Sequence, residues 1–562
     1  MHWIVLLIAL PMLTGAATLP LVQRLVACRV LGVIGLTSTL VASLFLLARA
    51  DREGGLLVSQ MGGWAAPYGI SLVLDTFSGM LLVGAAFVML CGMVASFTGL
   101  ERRIERRYFH PLFHFMHAGV NLSFLTGDLF NLFVAFEIML MASYGLMCAA
   151  AESRRLAQAY KYVLVNLVAS ALFVLAAGLV YAMFGTLNVA DLMTHVQATL
   201  ASGEALPTGF AAVAAMLAVV FGLKAAVFPM WFWLPDAYPT LPTPLLAVFG
   251  GVLTKVGVYA FARLFPSIFL NGDDAAFLDW LLAAFVAVTL LLAGWIAVAY
   301  RRLRHGVCML VIAGVGVSLA GVLIGSDDGF AGVAYYSVQS MLACALAFMI
   351  CGRIEALTGT DALDAPATGA LFRESPWLAA AALFAFLTLV GLPPLSGFYG
   401  KLLIVQAGLT GTSGGLGVVL ALAVLLGSGL VLLAVLRWWT EVFWLPSEPL
   451  DDQQEAQRGG SGRRAGLDAE GVAVGLLLAG SLLLGLTPQP GLHLAKDAGA
   501  RLNDPVARYA QAVLNPRPGT GAALNSRGST EALPAQVEAE RPGERLAPTA
   551  TPPEPDHSAE VH

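Results

Sequence analysis

Four charged side chains, Glu137, Lys224, Lys255 and Lys401, stand inside apolar runs long enough to be membrane-spanning helices. An ionised group near the bilayer midplane costs at least ~2.5–3.5 kcal/mol, so a chain that keeps four of them is constrained both in fold and in use. The rest of the composition agrees. Of 562 residues 58% are hydrophobic and only 12% are charged, and the mean hydropathy is +0.78, outside the range of soluble globular chains.

A helix needs about 20 mostly apolar residues to cross ~30 Å of hydrocarbon. That window places about 14 spans, near residues 2–20, 30–48, 70–98, 110–126, 128–150, 161–184, 208–234, 243–265, 274–300, 306–325, 330–352, 376–408, 414–440 and 470–488. The expected fold class is therefore an all-α polytopic membrane protein, because the runs are too long for barrel strands and lack their period-two alternation. Thr14-Gly15-Ala16-Ala17 resembles a signal cleavage site, but no basic region precedes the apolar stretch, so it reads as the first span. Eighteen basic residues, among them Arg24, Arg29, Arg102, Arg103, Arg301, Arg302 and Arg353, follow odd-numbered spans, against three (Arg49, Arg52, Arg263) after even-numbered ones. The positive-inside rule then places the odd loops in the cytoplasm of a cell-membrane protein, with both termini outside. Beyond the last span Leu502, Val506, Tyr509 and Val513 recur at helical spacing and, with Leu494, predict a short amphipathic helix on the membrane surface. Residues 516–562, rich in Pro, Glu, Ala, Gly and Arg, predict a disordered tail.

Lys224 lies in GLKAAVFP (222–229) and Lys401 in GLPPLSGFYGK (391–401). Each lysine sits within two turns of a proline that removes a backbone hydrogen bond, and such breaks persist at membrane depth only where they are packed in protein or line a watery cavity. Paired, interrupted helices in two halves point to a transporter site. The seventh and twelfth spans are five apart, an odd number, so their units cross the membrane in opposite senses. This predicts two inverted five-helix repeats, 110–265 and 274–440, after N-terminal helices over 1–109 and before a last span and C-terminal helix over 470–515. An amine in low dielectric without a counter-charge releases its proton more readily than in water, and a carboxylate brought near reverses that. Glu137 is the available carboxylate for Lys224, so their approach and separation would load and release a proton. Lys255 would be the next relay point and Lys401 the one after, a lateral row of titratable groups. The structural alternative has Lys224 and Lys255 bonding carbonyls exposed by Pro229 or Pro244, Glu137 tying two helices together through Lys224, and Lys401 satisfying the carbonyls at its own Gly/Pro break.

Asp75 begins the third span and Asp236 follows the seventh, and an interfacial cap or loop role is simpler for both than ion binding. His114 and His117 on the fourth span could relay protons, but two alone favour packing. The six cysteines show no CxxC or Cys/His spacing, so no metal or cofactor is indicated, and Cys344 with Cys351 reads as core packing. A net charge of -5 without a basic stripe gives no reason to expect nucleic acid.

The segment 127–144 (GDLFNLFVAFEIMLMASY) resembles the fifth-span signature of the D-type component of Mrp-type multisubunit monovalent cation/proton antiporters. FWLPDAY (232–238), LTKVGVYA (253–260), GLPPLSGFYGK (391–401) and the stretch from Asn503-Asp504-Pro505 to Leu514 are similar to that component too, and the likeness runs from about residue 60 to 515. The wider family includes proton-pumping membrane subunits of respiratory complex I and of membrane-bound hydrogenases. Tyr238, where the complex I relatives more often carry His, and the pattern from Asn131 to Tyr144 favour the Mrp D branch. The resemblance implies a fourteen-helix inverted-repeat fold and a proton route through Glu137, Lys224, Lys255 and Lys401, coupled to sodium movement elsewhere in a hetero-oligomer.

The chain departs from the family on the eleventh span. There YYSVQSMLAC (335–344) carries Gln339 and Cys344 where relatives carry a His and a Lys, and the tenth span, CMLVIAGVGV (308–317), lacks their polar stretch. Gln can orient a water but cannot take up a proton near neutral pH. Three functions are thus expected: a proton-translocating subunit of a Na+(K+)/H+ antiporter, which would be a transporter component and not an enzyme by itself; a pumping subunit of an NADH:quinone oxidoreductase or hydrogenase; or a nonconducting scaffold in such a complex. Partners would be the other subunits, protons, monovalent cations and lipid, with no cofactor.

Overall fold

The computed structural model describes residues 3–150, 156–272, 275–363, 371–411, 414–445 and 468–515; the expected disordered tail, 516–562, lies outside them. In chain order the helices are α1 (Leu6–Thr18), α2 (Leu25–Arg52), α3 (Thr76–Gly99), α4 (His110–Leu125), α5 (Leu129–Ala150), α6 (Leu156–Phe184), α7 (Val189–Ser202), α8 (Phe210–Ala225) and α9 (Trp233–Ala237). They continue as α10 (Thr243–Phe269), α11 (Ala275–Ala299), α12 (Leu303–Ile324), α13 (Asp327–Thr358), α14 (Pro376–Val390), α15 (Ser396–Thr410), α16 (Gly414–Trp439), α17 (Ala469–Leu486) and α18 (Pro488–Asn503). Eleven helices among the described residues are long and apolar enough to cross a bilayer, as a multi-pass membrane protein requires. The stretches expected as spans four, seven and twelve are made of shorter helices: α4, α8 with α9, and α14 with α15.

Two expectations need correction. The third span starts at Thr76 and not near residue 70, because Ser71–Asp75 (β2) pairs antiparallel with Leu56–Gln60 (β1), in the register Leu56 opposite Asp75 to Gln60 opposite Ser71. Asp75 ends the strand and starts the helix through a capping box: its carboxylate accepts from the Ser78 N–H at 2.8 Å, and Ser78 Oγ accepts from the Asp75 N–H at 3.0 Å. The C-terminal amphipathic segment also differs. Helix α18 stops at Asn503, and after Asp504 the chain resumes as short turns over 506–514 whose Tyr509 and Val513 are buried against protein.

Lipid tails are as apolar as leucine, so contact between these helices depends on close packing of small residues. Helices α10 and α12 are enclosed by protein along their whole apolar stretches, whereas α2, α6, α11, α16 and α17 each bury less than half. The outer helices point large apolar groups outward, such as Phe45, Leu167, Trp295, Leu426 and Leu483. Lys255 therefore sits on one of the two most enclosed helices of the fold.

Candidate functional site: charged residues on packed helices

Glu137 projects from α5 towards α6, where its Oε1 accepts a hydrogen bond from Ser170 Oγ. One turn earlier on α6, Asn166 receives Lys224 Nζ on its Oδ1 at 3.2 Å and on its backbone oxygen at 3.4 Å. Among the described residues no ion pair joins Glu137 to Lys224, and each instead bonds to α6. Side chains at i and i+4 share a helix face, so the Asn166–Ser170 edge of α6 stands between the carboxylate and the amine. The same edge continues to Tyr162, whose carbonyl accepts from Asn166 Nδ2 at 2.9 Å and whose hydroxyl lies 3.0 Å from Ser143 Oγ.

Lys224 occupies the last turn of α8, directly before the break. Ala226 adopts a left-handed conformation (φ 63°), which ends the helix ahead of Pro229. The backbone groups freed there are taken by other residues: Trp233 Nε1 donates to the Leu223 carbonyl at 3.2 Å, and the Phe228 N–H donates to Thr289 Oγ1 of α11 at 3.0 Å. The break is thus satisfied without the lysine, whose amine is left to reach α6.

Lys255 follows a π-helical turn, Phe249–Leu253, inside α10, a feature often found at functional sites. The residue is 1% exposed, and among the described residues its amine makes one hydrogen bond, a long one of 3.5 Å to Thr254 Oγ1. An ammonium carries three donors, so this group is the least satisfied of the row. Two residues on, Gly257 lies so close to α8 that a Cβ would stand 2.7 Å from the Ala225 nitrogen, so α10 packs tightly on the end of α8 while Lys255, about 200° round the helix from Gly257, points to another side. On another flank the π turn packs against α13 at Met341 and Ala345, the residues next to the Cys344–Ser340 pair (Sγ to Oγ 3.6 Å).

Lys401, in the second turn of α15, is held differently. Its Nζ donates to the Leu389 and Val390 carbonyls at 3.1 and 2.8 Å and to Ser428 Oγ of α16 at 2.9 Å, so all three of its donors are used. The carbonyls belong to the last turn of α14, freed where Gly391 (φ 86°) turns the chain. A Cβ on Gly391 would stand 2.9 Å from Lys401 Cδ, so the lysine stem crosses the break itself. The structural role weighed for Lys401 is thus present, while among the described residues Lys224 and Lys255 bond no carbonyls at Pro229 or Pro244. Tyr336 of α13 places its ring centre 5.9 Å from the amine, and a Cβ on Gly400 would stand 3.0 Å from the Tyr336 backbone. Gln339, fully buried, donates to the Thr388 carbonyl at 3.2 Å; among the described residues its Oε1 has no partner, nor do Ser337 Oγ and Ser396 Oγ.

Helices α5, α6, α8, α10, α13 and α15 pack one on the next in that order, and Glu137, Lys224, Lys255 and Lys401 are carried by α5, α8, α10 and α15 of this series. Asp75 serves as the cap described above and also accepts from Arg263 at 2.6 Å, and Asp236 makes an exposed pair with Lys161 at 3.2 Å, both in keeping with cap and loop roles. Asn166, Ser170, Tyr162, Tyr336 and Ser428 do not stand out by charge. The signal for the α6 residues is nonetheless present as Tyr-x3-Asn-x3-Ser, three polar groups on one face of an apolar run.

The family model described as NADH:quinone oxidoreductase/Mrp antiporter, TM, matches residues 126–428, which contain the whole row. The D-type component of the Na(+)/H(+) antiporter of Bacillus subtilis (strain 168) is 34% identical over 514 residues, 91% of this chain and 99% of that protein. The corresponding D-type component of a probable K(+)/H(+) antiporter of Rhizobium meliloti (strain 1021) is 34% identical over 432 residues, 72% and 78% of the two chains. Among solved structures, a chain of the Mrp complex from Dietzia sp. DQ12-45-1b superposes with a TM-score of 0.82 at 28% identity, covering 92% of this chain and 100% of that one.

Proposed function

Because this chain belongs to the family of membrane subunits shared by NADH:quinone oxidoreductases and Mrp antiporters, we propose that it is the D-type, proton-translocating subunit of a multisubunit Na+(K+)/H+ antiporter. It is a transporter component that works beside partner subunits in the plasma membrane, its arginine-rich loops facing the cytoplasm and its two five-helix repeats, 110–265 and 274–440, forming the two halves of the route.

The observation that carries this reading is the uneven satisfaction of the three buried amines. Lys401 has three acceptors, Lys224 has two on one residue, and Lys255 has a single contact at 3.5 Å. A purely structural lysine would be bonded as Lys401 is, since burying a charge without partners costs more than the fold gains from it. Lys224 and Lys255 instead hold amines with spare donors on packed helices, which leaves each amine free to release and take back a proton. The α6 edge supplies the switch. Asn166 holds Lys224 and Ser170 holds Glu137, so a small rotation of α6 brings the carboxylate and the amine together or parts them.

The redox-complex reading draws on the same family model. Tyr238 and the relatives named for cation/proton antiport favour the antiporter. The scaffold reading is favoured by Gln339 and by the static bonding of Lys401, which leave the second half of the row with fewer proton carriers. Sodium-driven pH change in vesicles bearing the assembled complex separates these readings. Lys224→Ala is expected to lower the rate by at least about tenfold with the subunits still co-purifying. Unchanged transport in that variant would leave the scaffold reading standing instead.

A further inference from the structure

Helix α4 carries a second group of titratable side chains, which the lysine row does not use. His110, His114, His117 and Asn121 fall within a narrow arc of the helix at 100° per residue. All four are buried to 1% exposure or less. Six of their polar atoms have no hydrogen-bond partner among the described residues: His110 Nδ1, both ring nitrogens of His114, both of His117, and Asn121 Oδ1. A neutral imidazole always carries one N–H donor and one acceptor, and buried polar groups left unpaired in this density call for partners that ordered internal water can supply. The stripe faces away from the lysine row, because Gly119, on the opposite side of α4, is the residue in contact with the Met139 backbone of α5. It looks instead towards α1, α2 and α3. Asn121 Nδ2 donates to the Leu7 carbonyl of α1 at 2.7 Å, and His114 Nε2 and Met93 of α3 both lie 3.3 Å from where a Cβ on Gly32 of α2 would be.

At the end of α4 on the arginine-rich face, His110 Nε2 lies 3.0 Å from Glu105 Oε1, and Arg29 of α2 clamps the same carboxylate with two bonds of 2.7 Å. The charged and titratable groups about the stripe are thus Arg29 and Cys28 from α2 and Glu105 from the turn before α4. Helix α1 meets it with a backbone carbonyl and α3 with Met93, while α10 meets α4 elsewhere, Tyr259 against Phe124.

We propose that the His110–His114–His117–Asn121 face of α4 is a hydrated proton-loading seam that exchanges with the arginine-rich face past Glu105 and is separate from the lysine row. A proton from solvent on that side binds the free nitrogen of an imidazole, passes by water to the next, and returns to the same side. Asn121 cannot carry a proton, so the seam is closed at its far end and stores charge rather than conducting it across.

Radiolytic hydroxyl footprinting of the assembled complex in lipid nanodiscs reads the hydration directly and does not depend on the transport reading above. His114 and His117 are expected to be oxidised at least about tenfold faster than Phe113, a fully buried neighbour on the same helix; protection equal to that of Phe113 overturns the proposal. The function is read from the double variant His114→Asn, His117→Asn, which keeps polar side chains for water but removes the proton sites. Its sodium-driven transport should persist with a pH midpoint moved by more than about 0.5 unit, and a profile superimposable on the parent's overturns proton loading. If the parent complex moves no protons, the antiporter reading fails and footprinting alone decides the seam.

Discussion

At the scale of single residues, charge is legible in the sequence and its partners are not. Glu137, Lys224, Lys255 and Lys401 are conspicuous because ions in hydrocarbon are costly. Asn166 and Ser170 cost little in an apolar helix and only gain meaning once α6 is seen between α5 and α8. Of the approach and separation expected of Glu137 and Lys224, this structure holds the separated arrangement, each residue bonded to α6. Asn166→Ala removes the side-chain acceptor of the Lys224 amine without touching a charged group. Such a change should slow sodium-driven proton movement by about tenfold or more while assembly, followed by co-purification, is retained, because the loss of one hydrogen bond to a charge is worth ~1.5–3 kcal/mol. An unaltered rate would mean that Asn166 does not hold Lys224 in any step that limits transport.

Among the elements, the two broken helices are legible from Pro229 and from Pro393–Pro394, since proline interrupts the ladder wherever it falls inside a span. How each break is closed is not legible, because it depends on residues distant in sequence: Trp233 and Thr289 for the first, Lys401 and Gln339 for the second. The strand pair β1–β2 is hidden as well, because the mostly apolar residues 70–74 run straight into α3 and read as its first turn. The asymmetry between the breaks has a measurable consequence. Lys401→Met deletes three hydrogen bonds that close the α14–α15 junction, whereas Lys224→Met deletes none at the α8 break. Thermal unfolding of the purified complex should show the first variant less stable by ~2 kcal/mol or more and the second close to the parent. Equal stability of the two would show that Lys401 does not brace its break.

Over the whole molecule, ion pairs at both faces fix the helices that flank the row. On one side Arg263 binds Asp75 at 2.6 Å within a cage of Phe77, Tyr259 and Tyr509, tying α3, α10 and the C-terminal turns together. On the arginine-rich side Glu105 joins α2 to α4. Burial alone would raise its carboxyl, but the hydrogen bonds from Arg29 and His110 outweigh that and hold it below the usual carboxylate range. A carboxyl depressed in the folded state stabilises above its unfolded value of ~4.3 and loses that contribution as pH falls through the folded value. Glu105→Gln should therefore lower the melting temperature at pH 7, and the gap to the parent should close on acidification below about pH 4. A gap that stays constant with pH would assign Glu105 no electrostatic role.

Proton carriage by the charged residues of α5, α8, α10 and α15 is decided at Lys255, which sits on a helix enclosed along its whole apolar stretch and has one long contact to lose. Replacing it with leucine removes an unsatisfied buried charge, a change that is neutral or stabilising when the charge has no structural task. Sodium-driven pH change should be measured in vesicles with the assembled Lys255→Leu complex, alongside its melting temperature. The variant complex is expected to be at least as stable as the parent, with proton movement lowered by about tenfold or more. A stable Lys255→Leu complex that moves protons at the parental rate would contradict it.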